Sequence, residues 1–252
     1  RDQASIDTSL FALGVAASLG YTGGAVSFSF STARNEIRST VDALLDRVDV
    51  QAVGDVTVEA RDEASITASS SMVSVAAALA LGVSVSGGGA SASNTIATAT
   101  RAVIGRNAPS GIADTSLTTT GSVKVSASEA ASATASVGGV SVSVGLVAAA
   151  VGGTTAENLF TPIVEAGIRS ARVSATGAGS TVDVQAFGRH VAGASSTAVS
   201  ASTGVSVGES YVEAKNEGSI SALLGNDVSV VAPTLRVLSE GNDELFQTSS
   251  AH

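Results

Sequence analysis

The chain contains no cysteine and no tryptophan, and only three prolines, two histidines and one methionine among its 252 residues. Without cysteine there are no disulfide staples and no thiolate metal sites. A long secreted repeat protein also avoids wrong disulfides this way. Aromatic residues make up 3% of the chain, with six Phe and two Tyr. Ordinary globular cores take much of their volume from aromatics, so thin, closely approached layers are expected instead. Charged residues are also sparse at 14%, with a net charge of −9. Lys and Arg stand singly, and phosphate neutralisation needs them clustered, so nucleic acid is not an expected partner. The two most apolar runs, Met72–Val85 and Val137–Val151, are broken by Ser and Gly. Both are shorter than the ~18 residues of a membrane helix, and aromatics are too few for the girdles of a membrane barrel. No membrane span is expected.

What remains is Ala, Val, Ser, Thr and Gly, in a chain 44% hydrophobic. That is too apolar for disorder. The residues recur. Arg1-Asp2-Gln3-Ala4-Ser5-Ile6 matches Arg61-Asp62-Glu63-Ala64-Ser65-Ile66 at an offset of 60. An Asn followed eight positions later by Ala appears as Asn35/Ala43, Asn94/Ala102 and Asn158/Ala166, and a fourth copy, Asn216/Ala222, is shortened by two. A block Val-x-Val-x-Ala reads Val56–Ala60, Val123–Ala127 and Val182–Ala186, with Val228–Ala232 as a looser copy. Four units follow, about 1–60, 61–127, 128–186 and 187–232, forming one repeat domain before a terminal strand and frayed tail at 233–252. The first unit begins inside the motif, as expected of a segment from a longer array. The insertion 107–120, with Pro109 and Gly111, maps to a loop.

Period-2 alternation runs through every unit and argues strand. Val26, Phe28 and Phe30 take one face of a half-buried strand, and Ser27 and Ser29 the other. Val73, Val75, Val83 and Val85 oppose Ser74, Ser84 and Ser86 in the same way. Ile37, Val41, Leu44, Leu45 and Val48 fit a helical stripe, so a short helix is the alternative to a strand over 35–48. Val48–Ala52 and Val56–Ala60 read as consecutive strands or a hairpin. The fold class is all-β, a repetitive β-solenoid of about four stacked ~60-residue units. Each unit holds either three coils of roughly 20 residues or one large flattened coil. An elongated β-sandwich of long hairpins is the remaining alternative. The Asn column (Asn35, Asn94, Asn158, Asn216) is expected at equivalent corners, laddering through its amides. The Ala column (Ala43, Ala102, Ala166, Ala222) is expected where only a small side chain fits.

Chemistry is thin. A nucleophilic serine needs a base beside it, and the histidines are His190, read as an exposed loop residue, and the terminal His252. Asp42 with Asp46, and Asp62 with Glu63, are the carboxylate pairs a glycan hydrolase could use, but both read as solvated surface. The calcium nonapeptide is absent, and Gly225-Asn226-Asp227 and Gly241-Asn242-Asp243 match only half of it. No Walker loop occurs. No catalytic, cofactor-binding or metal-ligating residue is assigned, and no enzyme activity is expected.

The Val-x-Val-x-Ala blocks resemble the repeats of very large secreted bacterial adhesins, the leukotoxin-like and filamentous-haemagglutinin-like exoproteins. So do Asn94-Thr95-Ile96 with Ala102-Val103-Ile104, and Asn35-Glu36-Ile37 with Ala43-Leu44-Leu45. The resemblance covers about 1–232. It implies a secreted or cell-surface solenoid with an adhesive or filament-building role. Its partners would be neighbouring repeats, copies of itself, or host and matrix glycans and proteins. A self-assembling subunit of an extracellular filament or sheath, and a polysaccharide-acting β-helix, are the alternatives.

Overall fold

The computed structural model describes residues 1–78, 81–106 and 115–251. Every regular element among them is a strand. The chain first makes β1 (Asp2–Ser18), β2 (Gly24–Leu45) and β3 (Asp49–Ala52). It then makes β4 (Val56–Ala78), β5 (Val83–Ile104) and β6 (Thr115–Thr119). A third pass gives β7 (Val123–Val144), β8 (Val147–Phe160), β9 (Ile163–Ile168) and β10 (Ala171–Ala175). A fourth gives β11 (Thr181–Ser202), β12 (Val205–Asn216), β13 (Ser219–Leu224) and β14 (Ser229–Val231), and β15 (Thr234–Ala251) follows.

These strands form three parallel sheets. The first is ordered β1-β4-β7-β11-β15, the second joins β2 to β5 and then β8/β9 and β12/β13, and the third is β14-β10-β6-β3. The chain visits them in turn, so sheet neighbours lie one pass apart. Asp2 pairs with Asp62, Val56 with Val123, Val123 with Val182, and Thr181 with Thr234. Coils of roughly 20 residues are incompatible with that register. Among the described residues hairpins are excluded too, because every strand pairing there is parallel; Val48–Ala52 and Val56–Ala60 lie in different sheets.

Residues 35–45 are strand, the end of β2. Ile37, Val41 and Leu45 face inward while Leu44 is 48% exposed. Even spacings suit a strand as well as a helix, which is why the stripe read both ways. Val228–Ala232 is not the fourth copy of Val56–Ala60. Val230 pairs with Val173 in the third sheet, and Leu235 takes the column of Val182. Each pass carries two alternating blocks, one in the short sheet and one opening the long strand. The terminal strand expected after 233 extends through the stretch expected to fray, since β15 pairs with β11 from Thr234 to Ala251.

The corner between the second and third sheets holds a left-handed residue in each pass: Arg47 (φ 54°), Gly105 (φ 76°), Ser170 (φ 41°) and Asp227 (φ 54°). Beyond it lies an aliphatic core of Val123, Val125, Val182, Val184, Leu117 and Ile168. Full burial of such a side chain stabilises by about 1.5–3 kcal/mol. A second core, Ala-rich around Ile66, Met72, Ile96 and Phe160, fills the middle of the long sheets.

Towards the turns that join the first and second sheets, the alternation is inside out. Ser27, Ser29, Ser74, Ser84, Ser86 and Ser141 are buried, while Val26, Phe28 and Phe30 are exposed. The serines span the two sheets directly. Ser74 Oγ donates to Ser27 O at 2.8 Å, Ser29 Oγ to Val73 O at 2.9 Å, and Ser141 Oγ to Val151 O at 3.1 Å. A carbonyl already in a ladder keeps a second lone pair for such a bond. Face-packed sheets normally sit ~10 Å apart, and a single hydroxymethyl bridges only a smaller gap. Small polar side chains therefore win the interior here, and the valines are turned outward.

Candidate functional site

The two apolar cores are separated by a polar seam. In β4, Asp62 stands between Ala60 of one core and Ala64 of the other; in β7, Glu129 stands between Ala127 and Ala131. Their backbones are paired in register, on adjacent strands ~4.8 Å apart. The second sheet answers with hydroxyls. Ser39 Oγ donates to Asp62 Oδ2 at 2.5 Å, and Thr98 Oγ1 donates to Glu129 Oε1. In the fourth pass His190 enters the seam, with Gly188 beside Glu129. His190 Nδ1 lies 2.7 Å from Asp243 Oδ1, and Nε2 lies 3.8 Å from Glu129 Oε1. A carboxylate only accepts, so Nδ1 is the donor to Asp243. Asn216 Nδ2 donates to Asp243 Oδ2 at 2.7 Å.

Asp62 and His190 are wholly buried, and Glu129 is 4% exposed. Burial raises the Glu129 carboxyl to about 7, helped by the neighbouring Asp62 charge and opposed by the Thr98 hydroxyl. Burial also raises Asp62, against the hydrogen bond from Ser39. Asp62 Oδ1, Glu129 Oε2 and His190 Nε2 have no hydrogen-bond partner. A neutral Glu129 removes the cost of a second buried carboxylate charge beside Asp62.

The Asn column is partly assembled. Asn35, Asn94 and Asn158 pair in register. Asn35 Nδ2 donates to Asn94 Oδ1 at 3.0 Å, and Asn94 Nδ2 to Asn158 Oδ1 at 2.9 Å. Asn94 Nδ2 also reaches Thr134 O at 3.0 Å, Asn158 Nδ2 reaches Gly193 O at 2.7 Å, and Thr8 Oγ1 donates to Asn35 Oδ1. The three are buried in mid-strand, not at corners. Asn216 is outside the column. Ala214 pairs with Asn158, while Asn216 pairs with Phe160 and bonds into the seam. The fourth copy is thus not shortened; it carries Ala where the others carry Asn. Ala43, Ala102, Ala166 and Ala222 do share one column, at the edge of the aliphatic core.

The expected carboxylate pairs are not assembled as working pairs. Asp42 lies 3.7 Å from Arg101, and Asp46 lies 3.0 Å from Arg106. Glu63 points out of the sheet that Asp62 points into, and bonds Arg61 and Gln3. Asp62 is therefore not solvated surface, and its true neighbour is Glu129. His190 is a buried strand residue rather than an exposed loop one, because Asp243 of β15 accepts from its Nδ1 and is itself held by Asn216 Nδ2. Of the insertion expected as a loop, residues 107–114 lie outside the described residues, as does His252, while Thr115–Thr119 are strand β6. Among the described residues, no group of three or more His, Asp or Glu is placed to hold a metal ion. Glu129 was missed by sequence reasoning, yet its alternation parity with Ala127 and Ala131 marks it as inward.

A polysaccharide cannot reach Asp62 or Glu129 where they stand. The seam can share protons and hold two sheets in register. Comparison of the chain with protein-family models, curated proteins and solved structures finds no match.

Proposed function

We propose that the chain is a β-solenoid of about four stacked units of roughly 60 residues. In this reading it serves as a structural and adhesive segment of an extracellular or surface-anchored bacterial adhesin or fibre. The observation that supports this most is the order β1-β4-β7-β11-β15, in which each strand is the counterpart one pass later and every pairing is parallel. Each pass adds ~4.8 Å of height but carries strands ~70 Å long at about 3.3 Å per residue. The product is a stiff slab, suited to bearing load and displaying surface. Continuous ladders and the interior Asn bonds resist shear between passes. Its contacts with glycans or proteins are made by outward side chains and loops, and no catalytic role is assigned.

End-to-end assembly into a filament or sheath is the second reading. The strands β1 and β2 at one end, and β12 and β15 at the other, are sheet edges with unpaired backbone groups. Such edges pair with further strands, whether the next unit of an array or a second copy. Electron microscopy and light scattering of the isolated chain separate the readings. Discrete slabs of constant mass support a segment, and fibres lengthening with concentration support assembly. A compact particle lacking a parallel-sheet signature would refute both.

A further inference from the structure

The charges of this chain are confined to part of its cross-section. No Asp, Glu, Lys or Arg occurs in 8–33, 64–100, 130–156 or 190–208. The register stacks these stretches on one another, so all of them meet at the edge where the first and second sheets join. Both outer faces of that edge are apolar. Phe11, Leu13 and Val15 are exposed on the first sheet, and Val26, Phe28 and Phe30 on the second. Later passes continue it with half-buried Val140 and Val142 in β7, and with exposed Val205 and Val207 in β12. The turns around the rim expose Leu19, Tyr21, Leu81 and Leu146.

The polar groups of this edge are largely satisfied inside it. Besides the serine bonds described above, successive rim turns bond one another through Val83 N to Gly23 O (3.0 Å), Leu146 N to Gly82 O (3.1 Å) and Thr203 N to Ser143 O (3.3 Å). Between the inner strands the interior is polar, the outside apolar and the backbone paired, as hydrocarbon requires of a strand structure, while the open edges of β1, β2, β12 and β15 bound this surface at the two ends of the stack.

The geometry points to a lipid bilayer as the occupant: the rim dips into the hydrocarbon of one leaflet, with the sheets standing off the surface. The apolar surface is convex and wraps an edge on three sides. A fluid envelops such an edge, whereas a second copy would need a matching apolar cleft. The surface depressions of this chain are lined by mixed polar residues, such as Gln3, Glu63 and Ser132, or Asp42, Arg101 and Glu165. From Phe11 to Ala17 the strand runs about 20 Å at ~3.3 Å per residue. That exceeds half of a ~30 Å hydrocarbon core but does not cross it. The net charge of −9 favours zwitterionic over anionic lipid.

The test is flotation of the whole chain with phosphatidylcholine vesicles. The chain is expected to float. Val15→Asp/Val151→Asp/Val207→Asp, all outward, should reduce flotation at least tenfold, and Val53→Asp/Val231→Asp, exposed on the far side, should leave it unchanged. The chain has no tryptophan, so Leu19→Trp and Val53→Trp report insertion without disturbing the interior. Brominated phosphatidylcholine should quench the first and not the second. A chain that stays at the bottom of the gradient, or equal quenching at both positions, overturns the proposal. So does a dimer in sedimentation that the three Asp substitutions abolish while vesicles remain unbound, because the occupant is then a second copy.

Discussion

Asn94 donates from Nδ2 to Asn158 Oδ1 at 2.9 Å, joining residues 64 positions apart in the chain and one strand apart in the fold. The same Nδ2 donates to Thr134 O, and the Oδ1 of Asn94 accepts from Asn35. Asn94→Ala therefore strands three partners, two of them buried Asn amides. A loss of about 3 kcal/mol is expected in denaturant unfolding, at roughly 1 kcal/mol per hydrogen bond. Asn35→Ala, at the end of the ladder and partnered on one strand side, should cost less.

The ladder stops where Ala214 stands beside Asn158. Ala214→Asn restores the missing rung, since Asn158 Nδ2 already bonds Gly193 O as Asn94 bonds Thr134 O. A gain of about 1 kcal/mol is expected, read as a higher denaturation midpoint with unchanged slope. A drop in midpoint would mean the column has no room there.

Glu129 keeps its proton in the folded chain up to about pH 7, against an ordinary 4.5. The unfolded chain releases that proton earlier. The contribution to stability is full below pH ~4.5, is lost as pH rises to ~7, and is flat above, a fall of about 3 kcal/mol. Asp62, also raised by burial, acts in the same direction. Glu129→Gln keeps the neutral shape and should flatten most of the fall, measured as unfolding free energy of both proteins across pH 4–8. Parallel profiles would contradict a buried neutral Glu129.

Gly88 is fixed by its neighbour strand. A Cβ there would sit 2.0 Å from Ser29 O, a backbone atom that cannot yield. Gly88→Ala should cost upwards of 2 kcal/mol through overpacking and strain. At Gly193 a Cβ meets nothing within 4 Å. Gly193→Ala should be neutral or stabilise by a few tenths of a kcal/mol, because alanine restricts the unfolded chain. Thermal unfolding of the pair reads both.

The offset of 60 between the first and second passes was legible because Arg1–Ile6 and Arg61–Ile66 match, and Asp2 does pair with Asp62. The all-β class was legible from alternation alone. Which face was inward was not. Alternation marks two faces without naming the buried one, and in this chain the answer changes along a single strand: Val182 and Val184 are inside, while Val199 faces out and Ser200 is inside. Sheet separation decides it, and that is a property of two strands together. The seam was illegible for a related reason. Glu129 and His190 come from different passes, Thr98 from the facing sheet, and Asp243 from a stretch that read as a frayed tail.

The most direct test of stacking at one pass per ~60 residues is the distance between Ser9 and Ser195. Both are exposed, and they share one column of the first sheet through Ser69 and Ser136. Spin labels on Ser9→Cys and Ser195→Cys should report backbones three strands apart, about 14 Å at ~4.8 Å per strand. Coils of roughly 20 residues would place them nine strands apart, beyond about 40 Å. A distance in that longer range would contradict the fold described above.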